Sequence, residues 1–291
     1  MEQSERPRPF VRERMRICAF DLDGTLLNGS EPIRPAVRDA LKRLSASGRL
    51  VVAASGRNAT QIEPGLASLF RAIVGSNGAF ILDPATGKTS YSAPMDRTTV
   101  LRVLTLLQPF RAAVFVQQGH TMISPFATLP CILREVKPGR RVLADAAERL
   151  KVFYGKSKLC RSTARRVETD TDPFYKLQVF FPDPRVAADA AKSLAALPLT
   201  VLLMADGTLE ITAAGVSKAN ALKTLSESLG LTEANITAFG DSRNDAEMLT
   251  RAGHAVVMGN GTDEVKALAD TIAPPVWEDG VAVAVDRLFF A

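Results

Sequence analysis

The sequence predicts an α/β protein: a doubly wound parallel-sheet core with an inserted α+β domain. Three observations lead there. Short apolar runs alternate with amphipathic helical stretches at both ends of the chain, the pattern of a parallel sheet covered on both faces. The middle of the chain breaks this rhythm with fragments rich in β-branched and aromatic residues. At 291 residues, the chain reaches the size, roughly 250–300 residues, at which a single hydrophobic core stops growing.

The elements follow in order. Residues 16–20, RICAF, form an apolar strand that ends at Asp21. A helix opens at Pro35 and ends at Gly48, with Val37, Ala40, Leu41 and Leu44 at helical spacing. Residues 49–54, RLVVAA, form a second strand that ends at Ser55, and AIVGS a third that stops at the turn pair Asn77-Gly78. Through residues 84–214 the strand-like pieces are AVFVQ, KLQVFF and TVLLM. Ala205-Asp206-Gly207-Thr208 reads as a hairpin turn before LEIT. The alternation then resumes. A helix spans Ser217 to Leu229 and is closed by Gly230, and the strand NITAFG stops at Asp241. Further on come a helix near 243–252, the strand HAVVMG, a helix opened by Thr262-Asp263-Glu264 and a short strand at 271–273. The expected organisation is a loose tail over 1–14, a core built from 15–83 and 215–291, and an inserted domain over 84–214.

Composition excludes several classes. Hydrophobic residues make up 46% and charged residues 23%, ordinary for a globular protein and unlike a disordered chain or a coiled coil. No run approaches the roughly 18 apolar residues of a spanning helix, so no membrane association is expected. The three cysteines, Cys18, Cys131 and Cys160, are far apart, with no CxxC pair. A reducing compartment fits, and with no secretory leader the expectation is cytoplasmic. Net charge is +5, but residues 134–166 hold 11 Lys or Arg against 3 acids. The basic character is therefore local. With aromatics at 6%, a base-stacking platform for nucleic acid is not expected.

Function is expected beyond the carboxyl ends of the strands, where the crevice of an open α/β sheet lies. Asp21, Ser55 and Asp241 stand there, with Asp23, Asn244 and Asp245 beside them. Carboxylates from different strands meeting on one edge repel each other unless a cation sits among them, and Asp and Asn oxygens suit Mg²⁺. In Asp21-Leu22-Asp23-Gly24-Thr25 the two acids are two residues apart, so an extended backbone points both the same way. One carboxylate can attack an electrophile while the other exchanges a proton with the leaving group. An EF-hand is excluded, because Ser30 stands where its Glu is needed.

FDLDGTLL resembles the first motif of the haloacid dehalogenase superfamily. Ser55-Gly56-Arg57, Lys218 in GVSKANAL, and Gly240-Asp241-Ser242-Arg243-Asn244-Asp245 resemble the second, third and fourth, in order. SNGA after the third strand, LEIT before GVSK, and EDGVA at 278–282 resemble the Cof-like branch, which carries the larger α/β cap. The resemblance covers roughly residues 15–291. It implies a Rossmann-like core with an inserted cap, and a Mg²⁺-dependent phosphatase acting on a small phosphomonoester through an aspartyl-phosphate.

By position, it implies Asp21 as nucleophile and Asp23 as acid and base. Gly24, Thr25, Ser55, Gly56, Lys218 and Asn244 would hold phosphate, the first two through their amides. Mg²⁺ would be held by Asp21, Asp241, Asp245 and the carbonyl of Asp23. Arg57 and Lys176 are candidates for substrate selection. The partner implied is a small phosphorylated molecule, with no nucleic acid, membrane or obligate protein partner. A phosphomutase or phosphotransferase would use the same residues, because acceptor choice lies in the cap. A nucleic-acid-binding module built on the basic stretch leaves Asp21, Asp23, Lys218 and Asp241 without explanation. Ser242 departs from the Asn common in the branch but keeps an oxygen. His120 and His254 lack ligand spacing, and Gly259-Asn260-Gly261 reads as structural, because Glu264 replaces the third glycine of a dinucleotide loop.

Overall fold

The structure is a computed structural model that describes residues 8, 10–29, 31–119, 121–125, 157–204 and 206–291. The described residues fall into two compact units. The first comprises 1–56, 62–91 and 217–291, and the second 57–61 and 92–216.

The first unit is an α/β core. Its strands are β1 (Ile17–Phe20), β2 (Leu50–Ala54), β3 (Ala72–Gly75), β4 (Phe80–Leu82) and β5 (Thr89–Ser92), joined by β12 (Ile236–Gly240), β13 (His254–Met258) and β14 (Thr271–Ala273). They form one sheet in the order β14-β13-β12-β1-β2-β3-β4-β5. The pairs from β14 through β3 are parallel, and β4 runs antiparallel to β3. Ile17, Ala19, Val52, Ala54 and Val257 alternate onto one face. There they pack against Ala219 and Leu222 of helix Lys218–Ser228 and against Met248 and Leu249 of helix Ala246–Arg251. Helix Pro35–Ala46 buries Val37, Ala40, Leu41 and Leu44, the stripe its sequence spacing predicts.

β5 extends the sheet beyond the boundary expected near residue 83, and the contact boundary falls after Tyr91. Its sequence, TSYS, is only half buried, so no apolar run announces it. Arg8 and Phe10, within the stretch expected as a loose tail, are held against the core. The Arg8 backbone N–H and guanidinium donate to Asp270 at 2.7 and 2.8 Å. Phe10 packs edge-on against His254 and Phe289, with ring centroids 4.9 and 5.2 Å apart. His254 is a buried structural residue whose Nε2 meets Thr271 Oγ1 at 2.9 Å. Cys18 is buried too, and burial pushes its thiol up to about 12, so it packs as a small hydrophobe.

The second unit is α+β. Its strands are β6 (Ala113–Gln118), β7 (Thr121–Pro125), β8 (Ser157–Cys160), β9 (Phe174–Phe180), β10 (Leu199–Leu203) and β11 (Leu209–Ala213), in the order β10-β11-β9-β6-β7-β8. Helices Arg97–Leu107, Thr163–Thr169 and Ala187–Ser193 bury Val100, Val103, Val167, Ala187 and Ala190 against Val114, Val116, Leu177, Val179 and Ile211 on one face. Ala113, Phe115, Met122 and Phe180 form a smaller cluster, in the alternate phase of β6 and β9. His120, Cys131, Lys137, Lys156, Ala205 of the expected hairpin turn, and residues 134–156 of the basic stretch lie outside the described residues. Within the stretch, Lys158 is paired with Asp170 and Asp172, and Arg166 with Asp170.

Candidate active site

Three adjacent parallel strands deliver the site. Phe20 on β1 is in register with Phe239 on β12 and with Ala53 on β2. The residues that follow the strand ends, Asp21, Asp241 and Ser55, therefore emerge on one edge of the core. The Asp21 N–H donates to the Phe239 carbonyl and the Ser55 N–H to that of Val74, both at 2.9 Å, so both backbones continue the sheet pairing into the site.

Lys218 joins them from the first turn of its helix. Ser217 caps that turn, its hydroxyl accepting from the Asn220 N–H at 3.1 Å. The Lys218 ammonium lies 2.6 Å from Asp21 Oδ1 and 2.7 Å from Asp245 Oδ1. All three residues are buried. Asp245 also fixes the fourth motif: its Oδ2 accepts from the N–H groups of Asp241 and Ser242 at 3.1 and 3.0 Å. Asn244 accepts from the Ser242 hydroxyl at 2.6 Å, so it belongs to this capping turn.

The electrostatics are those of a crowded acidic pocket. Burial pushes the Asp21 carboxyl well above the usual range. Lys218 opposes that rise, while the charges of Asp245 and Asp23 add to it. Burial, reinforced by Asp245, pushes Asp241 up to about 6, although the Thr25 hydroxyl and Lys218 pull it back. Burial works against the Lys218 charge, but Asp21 and Asp245 outweigh it and hold the ammonium protonated.

Asp21, Asp241 and Asp245 each offer an oxygen within 4.8 Å of the others'. This is an all-oxygen donor set in which the Asp21 and Asp241 carboxyls are held above their ordinary range, and it fits a hard divalent cation. The side chain of Asp23 is exposed and lies outside that group.

The first-motif turn differs from its expected role at Gly24. The Gly24 N–H donates to the Leu27 carbonyl at 2.8 Å, closing a bridge between Asp23 and Leu27. That amide is committed to the turn and is not available to an anion. Gly24 instead supplies room: its φ is 87°, and a Cβ there would stand 2.2 Å from Asp241 Oδ2. Thr25 likewise acts through its side chain, the hydroxyl donating to Asp241 Oδ1 at 3.0 Å. Its N–H reaches the Leu22 carbonyl at 3.4 Å.

Asn260 plays the structural part expected of its loop, and it plays it at the first motif. Its Nδ2 donates to the Gly24 carbonyl at 2.8 Å, and its Oδ1 accepts from the Val276 N–H at 2.9 Å. It therefore ties the first-motif turn to the loop after β14. No local pattern marks this, because the partners are 236 and 16 residues away.

Arg57 and Lys176 belong to the second unit. An Arg57 guanidinium nitrogen donates to the Gln61 carbonyl at 3.2 Å. Lys176, on β9, is buried and donates to Glu210 Oε1 at 2.6 Å.

The model of the haloacid dehalogenase-like hydrolase family matches residues 18–285. The chain is 30% identical over 256 residues to the HMP-PP phosphatase of Serratia proteamaculans, covering 87% of each chain. It is 29% identical over 284 residues to 5-amino-6-(5-phospho-D-ribitylamino)uracil phosphatase YwtE of Bacillus subtilis, covering 94% of this chain and 98% of the relative. The solved structure of a haloacid dehalogenase-like hydrolase from B. subtilis superposes with a TM-score of 0.81 at 28% identity, over 94% of this chain and all of that one. With its four motifs assembled on a parallel-sheet core, the chain belongs to the haloacid dehalogenase-like hydrolases, in their Cof-like branch.

Proposed function

We propose that the protein is a Mg²⁺-dependent phosphatase that hydrolyses a small phosphomonoester through an aspartyl-phosphate on Asp21. The observation that carries this reading is the buried Lys218 ammonium at 2.6 Å from Asp21 Oδ1, within the Asp21–Asp241–Asp245 carboxylate group. A cation held against the attacking carboxylate marks where negative charge gathers during phosphoryl transfer.

An oxygen of Asp21 attacks phosphorus, and the ester bond breaks. Asp23, exposed and two residues on, gives its proton to the departing oxygen. Asp23 then takes a proton from water as that water attacks phosphorus. Inorganic phosphate leaves and Asp21 is regenerated. Ser55, Gly56, Asn244 and Lys218 hold phosphate oxygens, and Lys218 offsets their charge. Asp21, Asp241, Asp245 and the Asp23 carbonyl would hold Mg²⁺, which supplies charge neutralisation and orientation of the phosphoryl group.

Substrate choice is assigned to the second unit, with Arg57 and the Lys176–Glu210 pair as candidates. Two relatives, both named phosphatases, one of them for a phosphorylated ribitylaminouracil, support a small phosphorylated metabolite as the substrate class. Among the described residues no helix is long and apolar enough to cross a membrane, and a cytoplasmic location is proposed.

The test is release of inorganic phosphate from a panel of phosphomonoesters, with Mg²⁺ and with EDTA. Wild type is expected to turn over with Mg²⁺ only, and Asp21→Asn to lose turnover while staying folded. Retained turnover in Asp21→Asn would sink the mechanism. An isomerised sugar phosphate in place of inorganic phosphate would turn the reading to phosphotransfer.

A further inference from the structure

After β3 the chain turns through three consecutive residues with positive φ: Ser76 at 50°, Asn77 at 60° and Gly78 at 102°. Ser76 and Asn77 carry side chains, and they are 0% and 4% exposed. A side chain crowds its own backbone in this region. Asn tolerates it, and serine visits it rarely. Of the four non-glycine residues with positive φ among the described residues, two stand side by side here. Such conformations persist where the surroundings over-determine them, and they concentrate at functional sites.

The surroundings are two positions of the proposed phosphate cradle. On one side the Asn77 N–H donates to the Ser55 carbonyl at 3.0 Å. On the other side Gly78 lies flat against the start of the helix that carries Lys218. A Cβ at Gly78 would stand 2.1 Å from the Ser217 carbonyl oxygen and 3.0 Å from the Lys218 backbone nitrogen. Ser55 reaches the site from the end of β2 and Lys218 from a helix far along the chain. The turn touches the backbone at both.

We propose that the Ser76–Asn77–Gly78 turn is a positioning element that sets the gap between Ser55 and Lys218, so that both reach the oxygens of one phosphate. This rests on the phosphatase reading above. Chain reversal from β3 into β4 does not require buried side chains at positive φ, because glycine makes the same turn without crowding. The strained, side-chain-bearing turn holds one backbone position where a glycine turn would wander.

The test uses the full-length protein with Ser76→Gly and Asn77→Gly. Both keep the backbone N–H and accept positive φ, so melting temperatures are expected to stay within a few degrees of wild type. The expected result is a fall in kcat of about 10- to 100-fold, the scale of a small misplacement at a reacting centre. Inhibition by inorganic phosphate weakens in parallel, while the Mg²⁺ half-saturation shifts less, because the turn touches none of Asp21, Asp241 and Asp245 directly and reaches Asp21 and Asp245 only through Lys218. Gly78→Ala is expected to be worse than either.

The idea is overturned if the folded glycine variants keep kcat and phosphate inhibition within twofold of wild type. It is also overturned if Mg²⁺ half-saturation shifts as much as phosphate inhibition, or if both variants fail to fold, since the turn would then hold the fold rather than the site. Calorimetric binding of inorganic phosphate to the Mg²⁺-loaded protein separates this outcome from failure of the function. A wild type that binds phosphate but releases none from any ester sinks the phosphatase reading, and weaker phosphate binding in the variants still supports the positioning role. A wild type that neither hydrolyses nor binds phosphate overturns both.

Discussion

The Lys218 ammonium and the Asp21 carboxylate meet at 2.6 Å in the interior of the core, and Asp245 closes on the same ammonium at 2.7 Å. Breaking a buried ion pair from one side leaves the other charge uncompensated, at a cost of about 3–5 kcal/mol. Lys218→Met is therefore expected to lower the melting temperature strongly and to cut kcat at least about 100-fold. Mg²⁺ recovers part of the lost stability in this variant, because it can neutralise the same carboxylates. Thermal unfolding with and without Mg²⁺ and steady-state kinetics check this. A variant as stable as wild type without metal would contradict the pairing.

Gly24→Ala is expected to remove activity by a route separate from charge. The new Cβ would collide with Asp241 Oδ2, and φ at 87° is itself strained for alanine. Asp241 must turn away, so Mg²⁺ binding, followed by calorimetry, weakens about 10- to 100-fold together with kcat. Wild-type Mg²⁺ affinity in this variant would show that the Asp241 side chain does not need its present position.

Much of this was readable from one dimension, for a physical reason. Asp21, Ser55 and Asp241 each follow an apolar run that ends abruptly. In a parallel sheet, such endings fall on one edge, so local pattern alone brought these three residues to one edge of the core. Lys218 was legible only through its motif. Nothing in GVSKANAL says that the ammonium is buried between two carboxylates, because both partners come from distant segments. The Gly24 amide went the other way: a glycine after two acids suggests an open amide, yet the chain closes back on Leu27 and uses it. β5 was missed because a TSYS run that is at most half buried carries no apolar signal, and the partners of Asn260 were not legible because both its bonds reach outside its loop.

The pH dependence follows from Asp241, whose carboxyl burial pushes from 3.8 up to about 6. Between these values the folded protein holds a proton that the unfolded chain has released. This group's contribution to stability is therefore fully present in acid and is lost as pH rises toward 6. A divalent cation requires the carboxylate, so its affinity falls as pH drops below about 6, by up to about tenfold per pH unit for each proton displaced. The rise in melting temperature produced by Mg²⁺ over EDTA is expected to be larger at pH 7.5 than at pH 5.5. A Mg²⁺ effect that is equal at both would contradict the raised carboxyl.

Asn260 offers a test of the scaffold behind the first motif. Asn260→Ala leaves the Gly24 carbonyl and the Val276 N–H without their side-chain partner. Each such loss costs about 1–3 kcal/mol where the group stays away from water. Asn260→Asp keeps the acceptor for Val276 but places a second acceptor against the Gly24 carbonyl. It is expected to be at least as damaging to kcat as alanine, although its shape is nearly that of the native side chain. If Asn260→Asp is instead as active as wild type, the bond to Gly24 does not hold the turn.

In the second unit, Lys176 and Glu210 form an ion pair at 2.6 Å with only 2% and 10% of their side chains exposed. Removing either partner alone strands the other, at about 3–5 kcal/mol, whereas replacing both with apolar groups of similar volume is often neutral. Lys176→Met and Glu210→Leu should each lower the melting temperature, and the double variant should recover most of the loss. Kinetics then separate a structural pair from a substrate-selecting one. If the pair only holds the sheet, the double variant keeps the substrate ranking of wild type across the phosphomonoester panel. If it selects substrate, the double variant is stable but its ranking changes, through KM rather than kcat, because neither residue belongs to the Asp21 cluster.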